Sequence, residues 1–222
     1  MYNPDILHNP PAGFAVREAS YDDVEDLTRL WYSSFNLSHP FWNFVTPDNS
    51  VTRKWLDDTW IMGIRAGPNI FRTFVIEDLS QNKKVVAFQR WHVPQADGNQ
   101  NVSLPNYPSE WDPELTDALW NGMAKARAEV MGGRTHWMGE FTAVDRAYQK
   151  KGLAMTFVDW VCRQADAAGL EVYGDVTPKF YPHLEKFGFQ DRMVITMPPR
   201  PECYGTYELK VIVRTPTAQP SE

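Results

Sequence analysis

Apolar residues at the start of the chain first alternate and then recur at helical spacing. The run from Phe14 to Ala19 alternates enough to predict a short strand. Residues 24–35 carry apolar side chains three or four positions apart, which predicts an amphipathic helix. Ser20 lies just before this helix with Asp23 three residues on, a weaker relative of the capping box. The chain therefore opens with a strand that is followed by a helix.

Further helices and strands follow along the rest of the chain. Apolar spacing predicts helices at 51–64, 113–131, 153–168 and 178–187. Short apolar or alternating runs predict strands at 71–77, 85–93, 136–144, 170–175, 193–197 and 207–213. A hairpin joins the second and third strands, and the last two strands have no long helix between them, so strands and helices do not alternate strictly. The predicted fold class is therefore α/β of the mixed, α+β kind, with helices on both faces of one sheet.

The chain of 222 residues is short enough for a single domain. Residues 1–12 are predicted to be an irregular arm, 13–214 the domain, and 215–222 a disordered tail that contains Pro and Ser. Inside the domain, prolines interrupt the pattern at 36–49 and at 94–113, so both segments are predicted loops. Long loops in compact domains often carry function.

Composition and charge exclude several classes of function. The net charge is −6 and the longest basic runs are two residues long, Lys83-Lys84 and Lys150-Lys151, so nucleic-acid binding is not expected. No apolar run approaches the roughly 18 residues of a membrane span, so no membrane insertion is expected. The first residues lack a signal-peptide pattern, and a cytoplasmic location is expected by default. The five histidines show no metal-ligand spacing, so no metal site is expected.

The segment with the most chemical information begins where the strand at 136–144 ends. A polar turn leads through Gly152 directly into the helix at 153–168. A helix N-terminus presents unpaired N–H donors and the positive end of the helix dipole, and a glycine lets a phosphate approach the backbone closely. Lys150 and Lys151 add positive charge. The pattern therefore indicates an anion site, although an ordinary strand–turn–helix connection has the same features. It contains neither a P-loop nor a dinucleotide fingerprint.

The turn also resembles a known signature. It reads Gln149-Lys150-Lys151-Gly152-Leu153-Ala154. This run matches the acetyl-CoA signature of the GNAT superfamily of N-acetyltransferases, Q/R-x-x-G-x-G/A. The downstream segment 177–189, which ends in Glu-Lys-Phe-Gly-Phe, is similar to the closing helix of that family. The opening strand and helix are similar as well, so the resemblance spans roughly residues 14–213.

The resemblance implies a sheet of seven mixed, mostly antiparallel strands that splays apart between the fourth and fifth strands. Acetyl-CoA, the implied co-substrate, would place its pantetheine arm in the splay and its pyrophosphate on the N–H groups of the turn. Val144 would bind the pantetheine arm through its backbone. The implied cofactor-binding residues are Thr142, Ala143, Val144, Gln149, Lys150, Lys151, Gly152, Leu153 and Ala154.

The implied activity is direct transfer of an acetyl group to an amine, expected to be that of a small molecule, in a ternary complex. A protein lysine and a hydroxyl group remain alternative acceptors. A non-catalytic module that binds CoA for regulation would keep the same turn, so this reading stays open too. Whether the protein is a monomer or a homodimer is left open by the sequence.

Two residues are candidates for proton transfer. Glu140 is a carboxylate in an otherwise apolar strand, so it lies either at a cleft or at an exposed edge, and it is the predicted general base. Asp175 or a base in 36–49 is the alternative. Relatives commonly carry a tyrosine as general acid where this chain has Leu184. Tyr181, three residues earlier, is the predicted acid, and His183 or water would serve otherwise.

Overall fold

The protein was analysed as a computed structural model that describes residues 2–99 and 104–217. The strands are β1 (Phe14–Glu18), β2 (Phe71–Asp78), β3 (Lys84–His92), β4 (His136–Val144), β5 (Glu171–Val176), β6 (Gln190–Thr196) and β7 (Glu208–Arg214). The helices are α1 (Val24–Ser34), α2 (Phe41–Val45), α3 (Ser50–Ala66), α4 (Pro113–Thr116), α5 (Gly122–Met131), α6 (Leu153–Ala168) and α7 (Tyr181–Glu185). A π-helical turn, Asp117–Asn121, joins α4 to α5.

All seven strands belong to one sheet with the order β1-β2-β3-β4-β5-β7-β6. Only β4 and β5 run parallel among the paired strands of the described chain. Their pairing ends at Gly139 and Gly174, whereas β4 continues to Val144 while still paired with β3. The two strands therefore diverge beyond the glycines. The prediction of a mixed, mostly antiparallel sheet that splays between its fourth and fifth strands is confirmed.

The sheet separates two apolar cores. The first face is covered by α1, α2, α3 and the helical run 113–131, and its core contains the rings of Trp31, Trp60, Trp120 and Phe141. The second face is covered by α6 and α7, with Trp137, Phe157 and Trp160 at its centre. Helices thus lie on both faces, as the sequence predicts. The two faces matter for the chemistry because each side chain of β4 and β5 reaches only one of them.

Two elements differ from their predicted form. The segment 36–49, a predicted loop, contains α2, and the predicted helix 178–187 is helical only at Tyr181–Glu185. Helix α2 forms because its aromatic residues are buried: the Phe41 ring stacks 4.2 Å from that of Tyr207, and Trp42 Nε1 donates to the Tyr207 hydroxyl at 3.1 Å. Tyr207 lies directly before β7, far away in the sequence. Packing of large rings against it stabilises a helical turn that the local sequence does not predict.

The ends of the domain pack against α6. Residues 2–12 form neither helix nor strand, and the His8 ring stacks on Trp160 with a centroid distance of 4.8 Å. Asn3 and Gln164 exchange two hydrogen bonds. At the other end the backbone N–H of Thr217 donates to Asp166 at 2.7 Å, and residues 218–222 of the predicted tail lie outside the described part. No helix of the described chain is long and apolar enough to cross a bilayer.

Candidate active site

The turn between β4 and α6 presents a row of unused backbone donors. Lys150 and Gly152 have left-handed backbones, with φ of 64° and 80°, and this coils the chain into α6. Asp145 closes the start of the turn by accepting the N–H of Ala147 at 3.0 Å. Within the described part of the chain, the backbone N–H groups of residues 149–154 donate to no acceptor. Six free donors at the start of a 16-residue helix make a site for a phosphate group.

The surroundings of this turn suit an anion. A Cβ added to Gly152 would have no neighbour within 4 Å, so the space in front of the backbone is open. Lys150 and Lys151 are exposed, and neither forms an ion pair with any described residue. The Lys151 ammonium lies 4.6 Å from the centroid of the Tyr148 ring. Open space and positive charge therefore lie in front of the unused N–H groups of this turn.

The edge of β4 that faces the splay is only partly free. The N–H of Asp145 donates to the Val86 carbonyl of β3 at 2.8 Å. In an antiparallel pair only every second residue bonds to the partner strand, so the backbone groups of Thr142 and Val144 point away from β3. The Val144 N–H donates to Ser34 Oγ at 2.9 Å, and the Ser34 hydroxyl donates to the Val144 carbonyl at 2.8 Å. Ser34 at the end of α1 thus occupies the backbone groups that are predicted to bind the pantetheine arm.

Glu140 lies in a β-bulge on the first face of the sheet. Gly139 pairs with Trp91 and Phe141 with Arg90, so Glu140 is the extra residue of β4. Its carboxylate accepts a hydrogen bond from Arg90 Nε at 2.5 Å, and His92 Nε2 lies 2.9 Å away. Burial by itself would raise the pKa of Glu140, but the charge of Arg90 and the contact with His92 outweigh it and lower that pKa to about 2. A carboxylate with this pKa is a weak proton acceptor.

Arg90 is wholly buried, and its partners show what the pair does in the fold. Its Nη1 donates to the Thr59 carbonyl of α3 at 2.8 Å. The guanidinium carbon lies 5.1 Å from the ring centroids of both Trp60 and Phe141. The ion pair between Arg90 and Glu140 therefore joins the sheet to α3 in the interior of the first face.

Asp175 is the other carboxylate at the point of divergence. It follows Gly174, the last residue of β5 that pairs with β4, and its Oδ1 accepts the Tyr173 hydroxyl at 2.8 Å. Burial raises the pKa of Asp175 to about 7, although the Tyr173 hydrogen bond and the charge of Arg127 both oppose the rise. Tyr173 belongs to the first-face core, and Asp175, two residues on, shares that face. The two carboxylates of the splay therefore lie on one face with very different proton affinities.

The predicted acid lies elsewhere. Tyr181 packs at the margin of the second-face core, where its oxygen accepts the backbone N–H of Asp191 at 3.2 Å. Leu184 is buried in the same core, and His183 is exposed. The structure therefore places Tyr181 and Glu140 on opposite faces of the sheet.

Three participants in this site carry no sequence signal. Ser34, Arg90 and Arg127 lie on elements that the sequence predicts, but nothing in their spacing marks them out. Their positions at the splay follow only from the packing of α1, β3 and α5 against the sheet. In the described chain no group of three or more His, Cys, Asp or Glu side chains could hold a metal ion.

Comparison with solved structures gives the fold independently. The chain matches agmatine N-acetyltransferase with a TM-score of 0.63 and 12% identity, over 91% of this chain and 99% of the other. Mosquito arylalkylamine N-acetyltransferase like 5b matches with a TM-score of 0.58, 15% identity and coverage of 91% and 99%. The protein yncA of Salmonella typhimurium, solved with its cofactor acetyl-CoA, matches with a TM-score of 0.55, 12% identity and coverage of 94% and 97%. No family model and no curated protein matches the sequence.

Proposed function

We propose that this protein, which has the GNAT fold, is an N-acetyltransferase that moves an acetyl group from acetyl-CoA to the amine of a small molecule. The observation that carries the proposal is the row of free N–H groups at residues 149–154 beside a splayed sheet. The solved structures of this fold are of N-acetyltransferases, among them enzymes named for agmatine and arylalkylamines. Small amines are therefore the first acceptors to test.

The chain offers acetyl-CoA two kinds of contact. The N–H groups of residues 149–154, with the charges of Lys150 and Lys151, would hold its pyrophosphate. The free edge of β4 at residues 142–144 would hold the pantetheine arm. The Thr142 backbone faces the splay, whereas Val144 would have to release Ser34 first. Both contacts follow the assignment implied by the signature.

Asp175 fits the work of a general base better than Glu140 does. An amine that is protonated at neutral pH cannot attack a thioester, so a base must first remove a proton from its nitrogen. A base works best when its pKa lies near the operating pH, and the pKa of Asp175 is about 7 while that of Glu140 is about 2. Glu140 remains a predicted base, but its charge is already neutralised by Arg90.

The transfer itself needs no covalent intermediate on the enzyme. The deprotonated nitrogen attacks the thioester carbon, the carbon–sulfur bond breaks, and the CoA thiolate takes up a proton. Holding both substrates side by side supplies much of the acceleration. Tyr181 is the proposed source of the last proton, and water is its rival, since a thiolate is a tolerable leaving group near neutral pH. Tyr181→Phe separates the two, because only loss of an acid at this position would also remove the alkaline limb of the pH–rate profile.

The test is release of CoA thiol from acetyl-CoA with a panel of amines, with the acetylated product identified by mass spectrometry. Turnover of any amine supports the proposal. Tight binding of CoA by calorimetry with no turnover of any amine, hydroxyl compound or lysine peptide would instead identify a non-catalytic CoA-binding module.

A further inference from the structure

We infer that the acceptor carries a carboxylate as well as its amine, and that Arg127 of α5 binds this carboxylate. This inference rests on the proposed function and narrows its substrate class to amino acids and related amines. Arg127 lies on the first face of the sheet, the face that also carries Asp175.

The first step is that Arg127 lacks a suitable partner. Its Nη1 donates to the sulfur of Met138 at 2.6 Å, and a thioether is a weak acceptor. In the described chain no carboxylate forms an ion pair with Arg127. A guanidinium has five N–H donors, so most of its capacity remains for something else.

Comparison with the other arginines shows that this is unusual. The other buried or half-buried arginines of the described chain form ion pairs with carboxylates, for example Arg90 with Glu140 and Arg214 with Asp166. The other described arginines without an ion pair are exposed: Arg65, Arg146 and Arg192. Water can solvate those three, whereas Arg127 is half-buried against the sheet. A cation in that position loses solvation when a substrate covers it, and an anion must compensate the loss.

The second step is the position of this charge relative to the splay. Arg127 contacts Met138 of β4, and its charge opposes the rise that burial causes in the pKa of Asp175 on β5. Its guanidinium therefore lies within electrostatic reach of both sides of the divergence. It also lines a recess of about 170 Å³ whose other walls are small: Gly98, Ala124, Ala128 and Gly132. Met138, which Arg127 contacts, pairs with Tyr173 of β5, and the Tyr173 hydroxyl donates to Asp175, so one row of contacts leads from this charge to the proposed base.

The third step is charge balance. The charge of Glu140 is taken up by Arg90, whereas in the described chain neither Asp175 nor Arg127 forms an ion pair. An acceptor with only an ammonium group would bring a second cation toward Arg127. An acceptor with an amine and a carboxylate gives Asp175 a proton to accept and gives Arg127 an anion to bind.

The experiment compares amines that differ only by a carboxylate. The pairs are phenylalanine with 2-phenylethylamine and lysine with 1,5-diaminopentane, each assayed by thiol release with acetyl-CoA. We expect kcat/KM to be at least about tenfold higher for the member with the carboxylate, since a charge-assisted hydrogen bond contributes about 1.5–3 kcal/mol. In Arg127→Gln this preference should vanish because kcat/KM falls only for the amine that carries a carboxylate. Arg192→Gln, an exposed arginine without an ion pair, is the matched control and should keep the preference.

Several outcomes overturn the inference while leaving the proposed function intact. The inference is wrong if the wild type turns over the amine without a carboxylate as well as, or better than, its partner. It is also wrong if Arg127→Gln lowers kcat/KM equally for both amines of a pair. If no member of these pairs is turned over, the wider panel of amines decides whether the proposed function stands. Calorimetry then decides the inference separately: with CoA at saturation, phenylalanine or lysine should bind the wild type and not Arg127→Gln, and absence of binding to the wild type rejects it.

Discussion

Arg90 Nε lies 2.5 Å from Glu140 Oε2 in the interior of the first face, so the only carboxylate inside the splayed strand β4 is already half of an ion pair. The sequence predicts Glu140 as the general base, but this ion pair ties its carboxylate to Arg90. The pKa of Glu140 is lowered to about 2, whereas that of Asp175, on the neighbouring strand, is raised to about 7.

Asp175→Asn should lower kcat by about two to four powers of ten, because the amide cannot accept a proton from the amine. The pKa of Asp175 is raised to about 7, so the carboxyl is protonated and inactive below that pH. In the wild type kcat/KM should therefore rise with pH through about 7, and the variant should lack this limb. CoA affinity, measured by calorimetry, should not change. A variant that keeps both the rate and the acidic limb would place the base elsewhere.

Glu140→Gln should act mainly on stability. It leaves the wholly buried Arg90 without a counter-charge, and breaking a buried pair in this way costs on the order of 3 kcal/mol. Urea unfolding should show a lower midpoint with an unchanged m-value. The pKa of Glu140 is lowered to about 2, so wild-type stability that depends on this pair should persist down to about pH 4 and fall as the pH approaches 2.

The same variant tests the earlier assignment of the base. Below its unfolding temperature, Glu140→Gln should keep a rate within about tenfold of the wild type, because Asp175 is unaltered. A loss of two or more powers of ten in a fully folded Glu140→Gln protein, with Asp175→Asn active, would restore Glu140 as the base.

Gly152→Glu should abolish CoA binding. Its left-handed backbone (φ 80°) disfavours any other residue, and the new carboxylate would enter the open space in front of the free N–H groups. Gly169→Glu is the matched control, since Gly169 ends the same helix with φ 64° and is equally open. Both variants should lose about 1–2 kcal/mol of stability from backbone strain, but only Gly152→Glu should lose CoA in calorimetry. Undiminished affinity would mean that the pyrophosphate binds elsewhere.

Ser34→Ala tests whether the pantetheine arm uses Val144. In the wild type the Ser34 hydroxyl satisfies both backbone groups of Val144, so a ligand must displace it. Removing the hydroxyl should tighten CoA binding by about fivefold, the equivalent of one net hydrogen bond. Ser33→Ala, which removes a 3.3 Å hydrogen bond to Arg146 on the same helix turn, should leave the affinity unchanged. Weaker binding in Ser34→Ala would show that Ser34 itself contacts the cofactor.

The sequence by itself determined the order of the seven strands and of the longer helices along the chain, and the glycine turn that leads into α6. Both depend on local chemistry: the apolar period of each segment, and a glycine that takes the left-handed backbone at the start of α6. The turn needs only residues within a few positions of one another. Such features can be predicted because they depend on residues that are close together in the sequence and not on contacts with distant parts of the chain.

The tertiary structure decided what each side chain of the site meets. Ser34 reaches Val144 across 110 positions, Arg90 reaches Glu140 across 50, and α2 forms because Phe41 and Trp42 pack on Tyr207. Tyr181 and Glu140 are both predicted catalytic residues, yet they lie on opposite faces. The proton affinity of a carboxylate depends on its burial and on nearby charges, which come from several elements at once. The difference between a pKa of about 2 and one of about 7 therefore follows from packing, not from the local sequence.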